Sequence, residues 1–293
     1  MRARSVLYLP ASNARAVEKA RTLPCDVAVL DLEDAVAPEM KAEARAAAVA
    51  AAHEGGFGPR LGVRINGLDT PWGADDLKAL KSAPVDLIVA PKVESAAMVQ
   101  ALSAALRPGV DLWAMIETPR ALVELGDIAG ADGALSGLML GVNDLAKDLK
   151  TGPAPDREPL KPWLAAVVAH ARANSLSAID GVFNRIKDEA GFAAECAQGR
   201  LYGFDGKSLI HPSQIEGANA AFGPSPAEIE WARKVVAAFA APEAASLGVI
   251  RVEGEMVERL HLHAAETLLA DLTIRSSRRR PGPSESNALR IQP

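Results

Sequence analysis

Residues 112–149, LWAMIETPRALVELGDIAGADGALSGLMLGVNDLAKDL, decide the fold of this chain. They read as an apolar run, a helical segment and a second apolar run, and each run ends in a carboxylate, Glu117 and then Asp144. In parallel α/β proteins, active sites lie at such strand ends. Two carboxylates on neighbouring strand ends can bind one hard cation such as Mg²⁺. They can equally cap the helices that follow, so the stretch alone leaves both interpretations open.

The same alternation of short apolar runs and Ala-rich segments extends in both directions from this stretch. About eight strand-helix units result, the number that closes a (β/α)₈ TIM barrel. The predicted strands are Ser5–Leu9, Val27–Asp31, Leu61–Ile65, Leu87–Ala90, Leu112–Ile116, Leu138–Val142, Ser177–Ile179 and a last strand from Gly203 toward Leu209. The predicted helices are Ala14–Arg21, Lys41–Ala52, Trp72–Lys81, Ala96–Leu106, Arg120–Ile128, Trp163–Ala173 and Asp188–Gln198. We therefore expect residues 1–222 to form the barrel.

Composition narrows the class of protein. Of 293 residues, 49% are apolar and 24% are charged, as is usual for a globular chain. The net charge of −5 argues against nucleic acid or an anionic membrane as the main partner. The two cysteines lie far apart in the sequence, and no apolar run is long enough for a signal or a membrane span. We expect a protein of the reducing cytoplasm.

The alternation of short apolar runs and Ala-rich segments ends after the predicted barrel. Ser225, Pro226 and Glu228 have the spacing of a capping box with proline at the first helical position. A helix to about Ala240, two short strands within 248–257 and a helix over 259–271 are predicted to follow. We therefore treat 223–274 as a separate C-terminal segment. Residues 275–293 are polar and rich in Pro and Ser, which predicts a disordered tail.

Arg64 stands out among the polar residues at the predicted strand ends. An arginine between apolar neighbours at such a position can hold a carboxylate or a developing oxyanion with two parallel hydrogen bonds. The alternative is an internal ion pair with Glu33 or Asp34. For Asp31, Glu33 and Asp34 we favour a supporting role, in which carboxylates orient the groups that touch the ligand.

Lys92 follows the predicted fourth strand, two residues before Glu94. A lysine in this position can form a Schiff base in a barrel aldolase. Since a carboxylate lies so close in sequence, we favour an ion pair between Lys92 and Glu94.

Eight motifs, in order along the chain, carry a resemblance to a known family. They are LYLPASNARAVEKA, DVAVLDLEDAVAPEMK, VRINGLDTPW, IVAPKVES, IETPRAL, LGVNDLAKDL, AIDGVFN and YGFDGKSLIHPSQI. Together they resemble the HpcH/HpaI aldolase and citrate lyase beta-subunit family. Within it, they are similar to the branch of malyl-CoA, citramalyl-CoA and beta-methylmalyl-CoA lyases. The resemblance runs from about Ser5 to Ile215 and continues more weakly to Ala270.

The resemblance implies a set of site residues. Mg²⁺ would be held by Glu117 of IETP and Asp144 of GVNDL, and Glu117 would also border the substrate. Arg64 of VRING would contact substrate oxygens. Arg15 and Lys19 of the first motif would meet the phosphates of coenzyme A, although basic residues four apart on a helix are usually only solvated.

The resemblance also implies a homotrimer or homohexamer in which the C-terminal segment is a helical lid over a neighbour's site. Relatives supply an aspartate near the end of that segment, and Glu258 stands in its place. Glutamate retains the carboxylate of aspartate, but its extra methylene places that carboxylate about 1.5 Å farther from the backbone. A second departure is Asn184, where relatives often carry an acid.

We therefore expect a Mg²⁺-dependent lyase that splits a 3-hydroxyacyl-CoA, such as malyl-, citramalyl- or citryl-CoA, into an acyl-CoA and a 2-oxo acid, or condenses them. Arg64 would neutralise charge on an oxygen and Glu258 would move the proton. The alternatives are a 3-hydroxyacyl-CoA thioesterase, a citrate lyase beta subunit acting on an acyl-carrier-protein thioester, and a weakly catalytic protein that binds CoA esters.

Overall fold

The computed structural model describes residues 3–244 and 246–278. The chain divides after Gly223 into two compact units. We call residues 2–223 the barrel unit and the residues from Pro224 onward the C-terminal unit. No helix in the described ranges is long and apolar enough to cross a membrane.

The barrel unit is a closed barrel of eight parallel strands in sequence order, which confirms the predicted TIM barrel. Each strand pairs with the next along the chain, and the eighth pairs with the first. The strands are β1 (Ser5–Pro10), β2 (Val27–Asp31), β3 (Arg60–Arg64), β4 (Leu87–Ala90), β5 (Asp111–Ile116), β6 (Leu135–Leu140), β7 (Ser177–Asp180) and β8 (Gly206–Leu209).

Helices flank the strands and bury an apolar layer against them. They are α1 (Ala14–Ala20), α2 (Lys41–Glu54), α3 (Gly73–Leu80), α4 (Ala96–Ala105), α5 (Pro119–Val123), α6 (Leu125–Ala129), α7 (Val142–Asp148), α8 (Lys161–Ala173), α9 (Glu189–Tyr202) and α10 (Gln214–Phe222). Short 3₁₀ turns lie at Pro38–Met40 and Glu158–Leu160. The predicted helix over Arg120–Ile128 is in fact two short helices, because the backbone leaves helical geometry at Glu124.

Side chains fill the inside of the barrel below its mouth. Successive strand residues point to opposite faces, and the inward set forms its own cluster, including Val29, Val89, Trp113 and Met139. Trp113 is only 2% exposed. Its ring fits because the neighbouring residue, Gly137, has no side chain. A Cβ at Gly137 would lie only 2.7 Å from Trp113 Cδ1. Replacing a buried Trp by Ala typically costs about 3–5 kcal/mol, so this filling stabilises the barrel substantially.

The predicted end of the sixth strand and the predicted start of the eighth strand were wrong. The sixth strand ends at Leu140, and Val142 begins α7, so Asp144 lies in the first turn of a helix rather than on a strand end. The eighth strand begins only at Gly206. Gly203, predicted as its start, has a φ of 96° and ends α9, a left-handed conformation that favours glycine.

The C-terminal unit contains two helices and a hairpin, namely α11 (Pro226–Phe239), β9 (Val249–Val252), β10 (Glu255–Glu258) and α12 (Arg259–Arg278), with a 3₁₀ turn at Pro242–Ala244. The capping box of Ser225 and Glu228 is present. Glu253 and Gly254 both have positive φ, as a two-residue hairpin turn requires. Val252 and Val257 lie on the inner hairpin face and pack with Phe239.

The last helix is longer than predicted. Its predicted end was Asp271, but α12 continues to Arg278, so residues 275–278 of the predicted disordered tail are helical. Once a helix is nucleated, each further residue adds a backbone hydrogen bond at little cost, even where the apolar period has ended. The remainder of the predicted tail, 279–293, lies outside the described residues.

Candidate active site

A cavity of about 350 Å³ opens at the carboxyl ends of the barrel strands. We call it the mouth cavity. It brings together three residues predicted from the sequence: Arg64, Glu117 and Asp144. Its other polar lining comes from Tyr8, Asp31, Asp34, Asn143, Asn184 and Ser208.

Glu117 follows β5 and is 2% exposed. Its Oε1 accepts a hydrogen bond of 2.8 Å from the backbone N–H of Lys92. Gly141 leaves room for the other oxygen, because a Cβ there would lie 2.2 Å from Oε2. Burial raises the pKa of Glu117 to about 7, against the lowering effects of the Lys92 amide and Arg64. A cation placed beside Glu117 would favour its charged form.

Asp144 lies half-buried on the wall of the same cavity. Its negative charge helps to raise the pKa of Glu117. Within residues 3–244 and 246–278, the Asp144 carboxylate has no hydrogen-bond partner. Neither acid acts as a helix cap: the N-cap of α5 is Thr118, whose hydroxyl accepts from the Ala121 N–H, and the N-cap of α7 is Gly141.

This pair of carboxylates fits a hard divalent cation. Carboxylate oxygens are the donors that Mg²⁺ prefers, and it commonly takes one or two from the protein and keeps several waters. The described part of the chain contains no group of three or more His, Cys, Asp and Glu that could hold a metal. A cation between Glu117 and Asp144 would therefore keep much of its hydration, which leaves positions for a ligand.

Arg64 is held in place by an internal ion pair, but with a different main partner from those predicted. Its Nε and Nη2 donate to the two carboxylate oxygens of Asp31 at 2.7 and 2.6 Å. Its Nη1 lies 2.8 Å from Glu33 Oε2 and 3.4 Å from Asp34 Oδ2. The guanidinium also lies 4.9 Å from the centre of the Tyr8 ring. Asp31 and the ring thus fix the plane of the guanidinium at the cavity wall.

Glu33 is a buried acid whose unusual environment the sequence did not reveal. Within the part of the chain that the structure describes, its Oε2 accepts no hydrogen bond, since the nearby Arg64 Nη1 is at a suitable distance but a poor angle. Burial raises the pKa of Glu33 to about 8, although Arg64 opposes the shift. The loop that carries Glu33 is fixed by Lys41, whose Nζ donates to the carbonyls of Leu32 and Glu33 at 2.8 and 2.7 Å.

The predicted ion pair between Lys92 and Glu94 is absent from the described structure. Glu94 instead accepts a hydrogen bond of 2.7 Å from the Thr118 hydroxyl. Lys92 has a raised pKa, because mouth carboxylates outweigh the opposing effect of partial burial. A lysine that stays protonated is a poor nucleophile, so the Schiff-base alternative is not favoured.

Two features of the mouth escaped the sequence analysis. The Tyr8 hydroxyl donates to the Met139 sulfur at 2.8 Å beneath Arg64; the inward alternation of β1 was the available signal. Asn143 and Asn184 hydrogen-bond to each other, with Asn184 Nδ2 at 2.8 Å from Asn143 Oδ1. This amide pair lines both the mouth cavity and a neighbouring cavity of about 820 Å³.

The remaining predicted residues do not line the mouth cavity. Arg15 and Lys19 are exposed on α1. Glu258 ends β10 in the C-terminal unit, opposite Val249 in the hairpin register. It is therefore on the outer hairpin face with the exposed Met256, away from the buried Val257.

Comparisons with known proteins agree with this architecture. The family model described as HpcH/HpaI aldolase/citrate lyase matches residues 4–212. The chain is 48% identical to a (3S)-malyl-CoA thioesterase of Cereibacter sphaeroides, over 91% of this chain and 93% of the relative. It is 37% identical to a citrate lyase subunit beta of Leuconostoc mesenteroides subsp. cremoris, over 87% of this chain and 88% of the relative.

A solved structure is similar over nearly the whole chain. It is CitE from Mycobacterium tuberculosis in complex with magnesium, acetoacetate and coenzyme A. The two share 33% sequence identity with a TM-score of 0.75, over 93% of this chain and 97% of that one.

Proposed function

This chain belongs to the HpcH/HpaI aldolase/citrate lyase family, and from that membership we propose that it is a Mg²⁺-dependent enzyme that splits malyl-CoA or a closely related 3-hydroxyacyl-CoA. The observation that carries the proposal is the convergence of Glu117, Asp144 and Arg64 on one cavity. Family membership alone would leave the chemistry open, because one fold hosts several reactions.

Glu117 and Asp144 would hold the cation. Magnesium is present in the similar CitE structure, and the two carboxylates of this chain have the oxygen donors it prefers. When bound, Mg²⁺ supplies Lewis-acid polarisation of a carbonyl oxygen. The chain's own contribution is to bring both carboxylates to one cavity, with Glu117 fixed by the Lys92 amide.

The proposed reaction breaks one carbon–carbon bond. The substrate hydroxyl loses its proton and becomes the carbonyl of a 2-oxo acid. The bonding electron pair passes to the carbon next to the thioester carbonyl, and that carbon takes up a proton, which gives the shortened acyl-CoA. Nε and Nη2 of Arg64 are committed to Asp31, and Nη1 faces Glu33 and Asp34. Arg64 would neutralise negative charge on a substrate oxygen through Nη1, in exchange for its contact with one of these acids.

Glu258 would move the proton at the carbon next to the thioester. It lies in the C-terminal unit with its side chain on the outer hairpin face, beside exposed apolar residues. We propose that this face covers the mouth of a neighbouring copy in a homotrimer or homohexamer and excludes water there. Arg15 and Lys19, exposed on α1, would meet the phosphates of coenzyme A.

Hydrolysis of the same thioester is the second candidate. The specific observation in its favour is the 48% identity to a (3S)-malyl-CoA thioesterase. In that reaction, water adds to the thioester carbonyl, the carbon–sulfur bond breaks and a proton passes to the sulfur. The metal site and Arg64 would serve either reaction, because both place negative charge on an oxygen.

An assay of the purified chain with Mg²⁺ tests both candidates. Malyl-, citramalyl- and citryl-CoA would each be incubated while free thiol and 2-oxo acid are measured separately. Production of 2-oxo acid without thiol indicates carbon–carbon cleavage, and production of thiol without 2-oxo acid indicates hydrolysis. The Glu117→Gln variant is the control for a contaminating enzyme. No product from any of the three esters would contradict the proposal.

A further inference from the structure

Asp34 lies in the loop that follows β2, and its side chain, which is 68% exposed, lines the mouth cavity. The backbone of this loop is held on both sides of Asp34. Asp31 accepts hydrogen bonds of 2.9 and 3.1 Å from the N–H groups of Glu33 and Ala35. Lys41 donates to the carbonyl of Glu33 at 2.7 Å. The chain therefore presents the Asp34 carboxylate to the cavity on a fixed backbone.

The contact between Asp34 and Arg64 is too long to explain this placement. Asp34 Oδ2 lies 3.4 Å from Arg64 Nη1, whereas hydrogen bonds between a guanidinium and a carboxylate are usually about 2.7–2.9 Å long. The two bonds from Arg64 to Asp31 measure 2.7 and 2.6 Å. An exposed ion pair contributes little to stability. The supporting role expected from the sequence therefore fits Asp31, but it does not account for Asp34.

The proposed cleavage needs a group that accepts the proton of the substrate hydroxyl. Carboxylates serve as general bases when they lie within hydrogen-bond reach of the proton. Four of them line the mouth cavity in the described part of the chain. Glu117 and Asp144 are assigned to the cation. Asp31 is bonded to Arg64 through both of its oxygens. Asp34 is the mouth carboxylate that neither role occupies.

Arg64 relates the position of the substrate oxygen to that of Asp34. A substrate oxygen that accepts from Nη1 lies about 2.7–2.9 Å from that nitrogen. Oδ2 of Asp34 is already 3.4 Å from the same nitrogen. Two oxygens beside one nitrogen at these distances can form a hydrogen bond to each other after a small rotation of the exposed Asp34 side chain. The geometry thus brings the hydroxyl within reach of this carboxylate.

We propose that Asp34 is a catalytic residue that takes the proton of the substrate hydroxyl during cleavage and returns it during condensation. The electron pair of the O–H bond forms the new carbonyl bond of the 2-oxo acid, and the pair of the broken carbon–carbon bond passes to the carbon next to the thioester. That carbon takes a proton from Glu258, and exchange with water restores both carboxyl groups. The inference rests on the proposed carbon–carbon cleavage and adds its proton acceptor.

The test compares turnover with ligand binding in the full chain. Turnover is the release of 2-oxo acid, with Mg²⁺, from whichever of the three CoA esters is cleaved fastest. Binding is calorimetric titration with pyruvate in the presence of Mg²⁺. Asp34→Asn removes the proton acceptor at nearly constant size, Asp34→Glu retains a carboxylate, and Asp34→Ala leaves space for added formate. Asp69→Asn is the matched control, because Asp69 is an exposed aspartate in the loop after β3 and is not among the residues that line the mouth cavity.

We expect Asp34→Asn to lower kcat about 100-fold or more, the usual contribution of a positioned acid or base. Pyruvate affinity should stay equal or increase, because a negative charge beside the anion has been removed. Asp34→Glu should recover part of kcat, and formate should restore part of the turnover of Asp34→Ala in proportion to its concentration. Asp69→Asn should match the unmodified chain in both measurements.

Four results would overturn the inference. An unchanged kcat in Asp34→Asn would show that this carboxylate takes no part in turnover. Parallel loss of kcat and pyruvate affinity would show that Asp34 acts only by positioning Arg64. Loss of kcat that neither Asp34→Glu nor formate relieves would show that a carboxylate at this place is not the proton acceptor. These three results leave the proposed function intact, whereas an unmodified chain that releases no 2-oxo acid from any of the three esters contradicts both the cleavage and this inference.

Discussion

Arg64 and Asp31 are directly paired across β2 and β3, and their side chains form two parallel hydrogen bonds inside the barrel mouth. Asp31 also accepts from the backbone N–H groups of Glu33 and Ala35. One carboxylate therefore fixes both the arginine and the loop after β2. The remaining nitrogen, Nη1, faces Glu33 and Asp34, and it is the part of the guanidinium not bonded to Asp31.

The first prediction concerns Arg64→Lys. Lysine retains the positive charge but cannot make two parallel hydrogen bonds to Asp31 while contacting a ligand. We expect kcat/KM to fall about 100-fold or more, as for loss of one oxyanion donor. The melting temperature should also fall, because a buried ion pair is weakened. Unchanged kinetics with a lower melting temperature would instead assign Arg64 a purely structural role.

The second prediction concerns the metal. Glu117→Gln and Asp144→Asn should each lower Mg²⁺ affinity by more than the roughly 10- to 100-fold seen when only a partner of a metal ligand is lost. Calorimetric titration with Mg²⁺ measures this, with Glu94→Gln as a control that alters a nearby carboxylate bonded to Thr118. Full Mg²⁺ binding by both variants would exclude these two residues as ligands.

The third prediction is a pH dependence of stability. The pKa of Glu33 is raised from 4.5 to about 8, so the folded state binds this proton more tightly than the unfolded state. Stability should therefore fall as pH rises from about 4.5 to about 8 and level off above that range. Glu33→Gln removes this penalty, so its advantage in melting temperature over the unmodified chain should grow between about pH 5 and pH 9.

The measurement is thermal unfolding with a metal chelator present, because a bound cation would stabilise the folded state independently. Glu43→Gln, which alters an exposed carboxylate on α2, serves as control and should show no such growth. An advantage of Glu33→Gln that is the same at both pH values would contradict the assignment of a buried, protonated Glu33.

The fourth prediction concerns Glu258 and its proposed action on a neighbouring copy. Glu258→Ala should lose about 100-fold or more in kcat, the usual contribution of a general acid or base. Co-assembly with Glu117→Gln subunits should restore activity, because some sites then combine an intact barrel with an intact hairpin. With equal mixing, half the barrels and half the hairpins are intact, so about one quarter of the sites recover. Verified mixed oligomers without activity would exclude action in trans.

The barrel was predictable because its signal is repeated. Each strand contributes an apolar run and each helix an Ala-rich segment, so an error in one unit does not change the number of units. The convergence of Glu117 and Asp144 followed from the same repetition, since consecutive units are neighbours in the barrel. The end of β6 was not predictable, because Leu138, Met139, Leu140 and Val142 suit a strand and a buried helix start equally well.

The ion pairs of Arg64 with Glu33 and Asp34 are present, but its main partner, Asp31, was missed for a different reason. The strand register places Asp31 directly opposite Arg64. Register depends on pairing between distant segments, which one strand's pattern does not reveal. Among the described residues, the Oε2 of Glu33 has no hydrogen-bond partner. Burial of this kind depends on how distant segments pack, so only the three-dimensional structure could identify it.

The packed interior of the barrel determines the side from which ligands can enter and leave. Below Arg64 the space is occupied by Tyr8, Met115, Met139 and Trp113, so a molecule at the mouth cavity has no route through the barrel axis. In the proposed reaction, the 2-oxo acid fragment would lie innermost and the coenzyme A fragment outermost. Both fragments would leave through the same opening. Product release would therefore be ordered, with the acyl-CoA first and the 2-oxo acid second. Product-inhibition kinetics in which the two products leave in random order would contradict this sequence.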